Sequence, residues 1–286
     1  MHLLAESGGT KTQWYLYDAQ GLQREFRTSG FNPNVQSAAE IEAQQRADWG
    51  QELPEGPGLQ LDFYGAGLGA PTTEAIVRGI LTSLFPGLTL NLRTDMLAAA
   101  LATCGDAPGI VCILGTGSNC CFWDGQKITG NLGSHGYLFS DEGSGADLGR
   151  AIISAALNGE LPHHVEHKFR DWAGKPFLEI RTEIYHSPKI NTALAHYSRF
   201  LAEHLEDPTV RMMVVARFMA FLHRTVLRMR DYRETPIHFV GSISEVYQAP
   251  LREAMTLLQL APASITAAPG EKLLAYHVSK LKGEAH

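Results

Sequence analysis

A ten-residue stretch occurs twice in this chain, and any fold it adopts must accommodate the repeat. Gly9-Thr10-Lys11-Thr12-Gln13-Trp14-Tyr15-Leu16-Tyr17-Asp18 recurs as Gly115-Thr116-Gly117-Ser118-Asn119-Cys120-Cys121-Phe122-Trp123-Asp124. In each copy an apolar run, Leu3-Leu4-Ala5 or Ile110 to Leu114, enters a Gly/Thr/Ser turn. An apolar or aromatic run leaves it and stops at a second turn, Asp18 to Gly21 or Asp124 to Gln126. Each unit reads as a β-hairpin whose tip exposes backbone N–H groups and hydroxyls. Glycines let such a tip approach an anion closely, and its unpaired N–H groups form a concave donor surface. Two copies about a domain apart predict a duplicated fold with a nucleotide clamped between its halves.

With 286 residues the chain is long enough for two domains with separate cores. A hydrophobic share of 44% and a charged share of 19% fit a globular protein. No apolar run approaches the ~18 residues of a membrane span, so no membrane partner is expected. The start lacks a basic region and meets an acid at Glu6, so no signal peptide is expected and the protein reads as cytoplasmic. A net charge of −6 argues against nucleic acid as a partner. The four cysteines, Cys104, Cys112, Cys120 and Cys121, contain no Cys-x-x-Cys pair. They read as reduced core thiols rather than metal ligands.

Residues 2–28 predict three strands in an antiparallel meander. Ser37 with Glu40 makes a capping box before a helix reaching about Trp49. Strands are expected at 59–64 and 88–93, with helices at about 73–84 and 96–103. Gly105 to Gly109 is the best domain boundary. The second half opens on the repeated hairpin and enters a helix near 143–157. Residues 158–190 read as mixed, with scattered prolines. Residues 209–232 predict the longest helix, 237–240 a strand, and 251–258 and 272–278 the last two helices. Strands and helices alternate after each meander, which gives an α/β protein with two similar halves.

The stretch Glu6-Ser7-Gly8-Gly9-Thr10-Lys11-Thr12 resembles the first phosphate motif of the acetate-and-sugar-kinase, actin and heat-shock-chaperone superfamily. Within it the chain is most similar to the BadF/BadG-type ATPase family and its N-acetylglucosamine kinases. Further pieces come in the family's order: Gly30-Phe31-Asn32-Pro33-Asn34, Thr94-Asp95, Gly115 to Asn119, Asp141-Glu142-Gly143-Ser144-Gly145 and Gly241-Ser242-Ile243. The resemblance implies two actin-like (ribonuclease H-like) domains, 1–106 and 107–269, with an ATP cleft between them. The last helix, about 270–286, is expected to cross back onto the first domain.

By the same resemblance Thr10, Lys11 and Thr12 form one phosphate loop and Thr116, Gly117 and Ser118 the other. Gly241 and Ser242 border the adenosine. Asp95 matches the catalytic base, where a carboxylate can take the proton of an attacking sugar hydroxyl. Asn32, Asn119, Ser134, His135, Gly136 and Asp141 match the positions that line the sugar. The family has Asp where this chain has Glu6, at the carboxylate that orients Mg²⁺, directly or through water. The implied activity is transfer of the γ-phosphoryl of ATP to an amino sugar, with the 6-hydroxyl of N-acetylglucosamine as the leading acceptor. The implied partners are ATP, Mg²⁺ and the sugar, with a homodimer left open. An iron–sulfur ATPase activator and a non-catalytic sugar or ATP sensor are the alternatives.

Plainer readings stand beside these. Asp95 suits an ordinary N-cap, Asn32-Pro33-Asn34 a rigid turn, Asp141-Glu142 a helix start, and Gly241-Ser242 a strand-to-helix turn. Gly65-Ala66-Gly67-Leu68-Gly69-Ala70 fits the dinucleotide pattern, but Pro71 to Glu74 puts the expected helix start too late for its glycines. His163-His164-Val165-Glu166-His167 fits an H-x-x-E-H zinc pattern, though Pro162 suggests a solvated turn. Gly9 to Thr12 lacks the glycine that a P-loop places before its lysine.

Overall fold

The computed structural model describes residues 1–8, 11–31, 33, 36–52 and 54–284. The chain divides into two compact units, Met1–Gly105 with Pro269–His286, and Asp106–Ala268.

The first unit opens on a meander of β1 (His2–Ser7), β2 (Lys11–Asp18) and β3 (Gly21–Ser29). Helix α1 (Ala38–Trp49) begins as its sequence dictates. The Ser37 side chain accepts from the Glu40 N–H, and the Glu40 side chain answers at the Ser37 N–H. β4 (Gln60–Gly65), α2 (Pro71–Leu84), β5 (Thr89–Thr94) and α3 (Asp95–Cys104) come next. The sheet order is β3-β2-β1-β4-β5, with β4 parallel to both β1 and β5. Because alternate residues face opposite ways, Leu3 and Ala5 join one core while Leu4 and Glu6 face the other side. That core centres on Trp14, whose ring meets Trp49 at 5.3 Å and Phe63 at 5.9 Å. Its indole N–H donates to Thr28 Oγ1 at 2.8 Å, so the ring is buried without leaving a polar atom unpaired.

The second unit repeats this plan. β6 (Gly109–Leu114), β7 (Ser118–Trp123) and β8 (Ile128–Gly133) form the meander. α4 (Gly145–Leu157), α5 (His163–Ala173), α6 (Phe177–His186), α7 (Ile190–His196), α8 (Ser198–Glu203) and α9 (Pro208–Arg224) form a helical layer. β9 (Ile237–Val240), α10 (Ser242–Val246), α11 (Gln248–Leu257) and β10 (Ser264–Thr266) complete it. The sheet order, β10-β9-β6-β7-β8, is that of the first unit read from the other edge. Even the irregularity recurs: the register slips between Leu16 and Tyr17 in one meander and between Phe122 and Trp123 in the other. These are the same two places of the ten-residue repeat. Such a bulge tightens the local twist, so the repeat encodes a bend as well as a turn.

Helix α12 (Gly270–Glu284) returns to the first unit and packs on α3. Its His277 lies against Tyr64, whose hydroxyl meets Nε2 at 2.9 Å.

Several expectations from sequence need correction. The region read as mixed is helical, because Pro162 and Pro176 sit at helix N-caps, where the absent N–H costs nothing. His163 to His167 therefore lie on α5 and not in a turn. The long helix ends at Arg224, and a 3-10 turn comes after it at Val226–Arg228. α2 begins at Pro71, directly behind the glycine turn and earlier than expected. β10 had no recognisable signal in the sequence. Among the described residues no helix is long and apolar enough to cross a membrane.

Candidate active site

In the first unit three charged groups converge. Asp95 is the first residue of α3, and it is not the cap. Thr94 takes that position, its hydroxyl accepting from the Leu97 N–H at 3.3 Å, so the Asp95 carboxylate is held by a single first-turn donor and keeps its other oxygen. One carboxylate oxygen accepts from the Met96 N–H at 2.8 Å. Burial pushes the Asp95 carboxyl above its ordinary range, against the pull of that N–H. Glu6, on the face of β1 opposite the Trp14 core, is raised too, first by burial, with Lys11 pulling it back and the Asp95 charge adding to the rise. Two carboxylates thus share a poorly hydrated neighbourhood, with the exposed Lys11 ammonium acting on Glu6 from its edge. Each acid is poised to hold a proton or meet a cation.

The first hairpin tip is closed by the Gly8 N–H on the Lys11 carbonyl at 2.9 Å. Thr12 stands inside the sheet. Its buried hydroxyl is 2.8 Å from Ser7 Oγ and donates to the Ser29 carbonyl, so it ties strands together. Lys11 is exposed. Thr10 and Asn32 lie outside the described residues.

The second tip spends one donor set and spares another. The Ser118 N–H donates to Asp141 Oδ1 at 3.1 Å, and its hydroxyl to the Glu142 carbonyl at 2.9 Å. The carbonyls of Gly115 and Thr116 accept from the Gly145 and Ala146 N–H groups that open α4. Among the described residues, the N–H groups of Thr116 and Gly117 and the Thr116 hydroxyl have no partner, and these are the donors an anion would find. A Cβ on Gly117 would lie 3.0 Å from Asp141 Oδ2, so any larger residue would make the carboxylate give way by a few tenths of an ångström. Asp141 is buried at a φ of 72°, an uncommon setting for a non-glycine residue, and burial raises its pKa. It does not start a helix: Ser144 caps α4 three residues later.

The remaining sequence-derived positions are scattered around this turn. Ser134, His135 and Gly136 form an exposed loop held by the His135 N–H on Ser140 Oγ at 2.8 Å. Asn119 is half-buried, its side-chain oxygen accepting from the Cys120 N–H. Gly241 has a φ of 125° and lies so close to β6 that a Cβ would stand 2.2 Å from the Leu114 carbonyl oxygen. Its glycine is thus dictated by strand packing. Ser242, next to it, lines a cavity of about 440 Å³ with Gly115, Thr116, Ile243, His196 and Arg199.

Sequence reasoning missed the α7–α8 wall of this cavity, which includes Thr192, Ala195, His196 and Arg199. Its nearest signal is the four-residue spacing of Gly145 and Gly149, small residues that bring helices together. The Leu194 carbonyl leaves no room for a Cβ at Gly149. The zinc pattern dissolves. His164 pairs with Asp207, His167 with Asp171 and Glu166 with Arg170. No group of three potential ligands converges among the described residues. Cys112 and Cys120, directly opposite each other in β6 and β7, are free, fully buried thiols.

One three-stranded meander with crossover helices in each half defines an α/β protein of two actin-like units. No protein-family model matches the chain. A crystal structure from Porphyromonas gingivalis, of a protein provisionally named an N-acetylglucosamine kinase, is 36% identical to it. The match covers 98% of this chain and 99% of that one, with a TM-score of 0.88. The chain therefore belongs to the N-acetylglucosamine kinase-like members of the BadF/BadG-type ATPase family and is a phosphotransferase of the sugar-kinase class. A second protein so named, from Chromobacterium violaceum, is 19% identical over 96% of this chain and 98% of its own, with a TM-score of 0.75. A ROK-family glucokinase from Streptomyces griseus, in complex with glucose and AMPPNP, is 16% identical over 99% of both chains, with a TM-score of 0.57. These two share the fold.

Proposed function

We propose that this sugar kinase uses ATP and Mg²⁺ to phosphorylate an amino sugar, and that the acceptor is the 6-hydroxyl of N-acetylglucosamine. The observation that carries the reading is Asp95, a half-buried carboxylate at the start of α3, outside the N-cap position and raised above its ordinary pKa. A base with a raised pKa takes a hydroxyl proton more readily at the moment of attack. Phosphoryl transfer otherwise needs positioning and charge neutralisation. Lys11 and the spare donors of Thr116 and Gly117 supply phosphate contacts, Thr10 completing the first loop. The Ser242 cavity takes the nucleoside. Asp141, Asn119, Asn32 and the 134–136 loop take the sugar, whose several hydroxyls call for convergent acceptors and amides.

Mg²⁺ is bound in kinases by one or two carboxylates, by phosphate oxygens and by water, and Glu6 fits that donor set. Bound there, the ion would neutralise charge on the transferring phosphoryl group. Glu6→Asp is expected to change the Mg²⁺ concentration for half-maximal rate only modestly. Glu6→Gln is expected to raise it sharply, since an amide brings no charge.

The deciding experiment offers ATP-Mg²⁺ with a panel of amino and N-acetyl sugars and reads ADP release and product mass together. N-acetylglucosamine 6-phosphate as the main product supports the proposal. ADP release without a phosphorylated sugar rejects it.

A further inference from the structure

The second unit holds another cavity, of about 450 Å³, between α4, α6 and α7 and away from Ser242 and the phosphate tip. Its floor is apolar: Ile153 and Leu157 of α4, Ile184 of α6, Ile190 and Leu194 of α7. Its rim carries Arg150, Arg181, Ser154 and Asn158. Tyr185, 76% exposed, and Leu138, 69% exposed, stand at the edge. With the floor they make one contiguous apolar surface, the kind that marks a ligand groove.

The charges say what covers it. Arg150 is already engaged, by the Asp147 carboxylate at 2.7 Å and the Tyr137 carbonyl at 3.1 Å. Arg181 has no acid or carbonyl partner among the described residues. An apolar basin of small-molecule size beside one uncompensated guanidinium matches a ligand with an apolar body and a single anionic head. We propose that this cavity is a second ligand site, taking a small amphiphilic anion such as an acyl or aryl carboxylate.

The site is also placed to be felt. α7 lines both cavities, Ile190 and Leu194 facing this one and Thr192, Ala195 and His196 the other. Arg150 leads the opposite way. It shares Asp147 with Arg217 and with the Gly143 N–H, and so braces the turn that carries Asp141. An anion that engages Arg150 as well as Arg181 competes with Asp147 for it. Effects on nucleotide binding rest on the nucleoside assignment above, whereas occupancy of the site does not.

The test uses 8-anilinonaphthalene-1-sulfonate, an aromatic anion that fluoresces when taken out of water. One molecule should bind per chain and persist under saturating AMPPNP. Octanoate should displace it, and 1-octanol should need about tenfold more, the worth of one charged contact. Arg181→Glu should weaken binding about tenfold or more. Ser154→Trp, an exposed position that fills the basin, should abolish it, with circular dichroism confirming both folds. Strict competition, in which AMPPNP raises the apparent Kd of the probe without limit, would place the probe in the nucleoside cavity and overturn the proposal, whereas coupling through α7 changes that Kd only up to a plateau. Unchanged binding in both variants would also overturn it, as would a self-association broken by Ser154→Trp, which would make this face an interface between copies. If binding holds but octanoate leaves AMPPNP affinity unchanged, the site stands and the nucleoside assignment, or its link through α7, fails.

Discussion

In the β1–β2 hairpin Thr12 opens the paired stretch after the tip, and its hydroxyl bridges Ser7 and the Ser29 carbonyl. In the β6–β7 hairpin the same place of the repeat is Ser118, and its hydroxyl goes to the Glu142 carbonyl. Both copies therefore use a buried hydroxyl as a strut. They differ in what surrounds it. The first tip sits among charges, Glu6, Lys11 and Asp95, while the second takes the acid that bonds it, Asp141, from a turn 23 residues further along the chain. Its tip is also one residue shorter, three residues separating Leu114 from Ser118 where four separate Ser7 from Thr12. A duplicated scaffold thus carries a cluster of charged groups in one unit and unspent backbone donors in the other, and the proposed function assigns proton transfer to the first. The repeated residues maintain the hairpin, and the unrepeated ones distinguish the chemistry.

The hardest blow to that division is Asp95→Asn. It is expected to lower kcat by about two to four powers of ten while nucleotide affinity stays near wild type. Turnover above about half of wild type would move proton transfer elsewhere.

Next comes a glycine at each tip. Gly117→Ala forces a methyl group against Asp141 Oδ2, whereas at Gly8 the added Cβ meets nothing closer than the Lys11 carbonyl oxygen at 3.8 Å. Misplacing a positioning group by about 1 Å can cost about a hundredfold, so kcat/KM should fall by about that much in Gly117→Ala and by far less in Gly8→Ala. Equal losses would show that the two tips are built alike.

Removing the struts tests stability. Ser118→Ala strands the buried Glu142 carbonyl and should cost about 1–3 kcal/mol, whereas the Ser29 carbonyl keeps Gln45 and Thr28 as donors, so Thr12→Ala should cost about 1 kcal/mol or less. Denaturant melts of both variants would check this. A neutral result at Ser118 would mean that water replaces the hydroxyl there, and a loss at Thr12 as large as at Ser118 would mean that Gln45 and Thr28 do not hold the Ser29 carbonyl.

The smallest effects concern pH. Asp95 and Glu6 have folded pKa values above their ordinary ones, so just above the ordinary range the folded chain holds more protons than the unfolded chain. Their contribution to stability is therefore lost as pH rises through that window, and the penalty persists at neutrality. Asp95→Asn should melt higher than wild type near pH 7, the gap closing as pH falls towards 3.8. His277 has the opposite sign. Burial lowers its pKa from 6.5, with Asp62 opposing and Arg93 and His2 assisting, so acidification below 6.5 costs stability as the unfolded chain takes the proton first. His277→Gln, which cannot titrate, should flatten the acid side of the melting profile between 6.5 and the carboxylate range. A profile unchanged from wild type would remove His277 as its source.

Features carried by neighbours in sequence were the legible ones. The Ser37–Glu40 box, the two hairpins and the strand-to-helix step at Thr94-Asp95 each depend on residues within a few positions, where backbone geometry leaves few choices. The prolines at 162 and 176 misled because a proline that breaks a helix and one that opens it differ only in the residues C-terminal to them. Long-range ties left no local trace. Ser118 with Asp141, Asp147 with Arg217, and the α7–α8 wall beside Ser242 join residues tens of positions apart.

The sequence by itself determined the duplicated α/β plan, the chemical types available at each tip, and the acid at the head of α3. Only the tertiary structure decided which hydroxyls are struts and which donors remain for a ligand. It also decided that Thr94 rather than Asp95 caps α3. The reason is physical: a polar group is available for chemistry only after the fold has satisfied its buried partners, and those partners are chosen by packing across the chain.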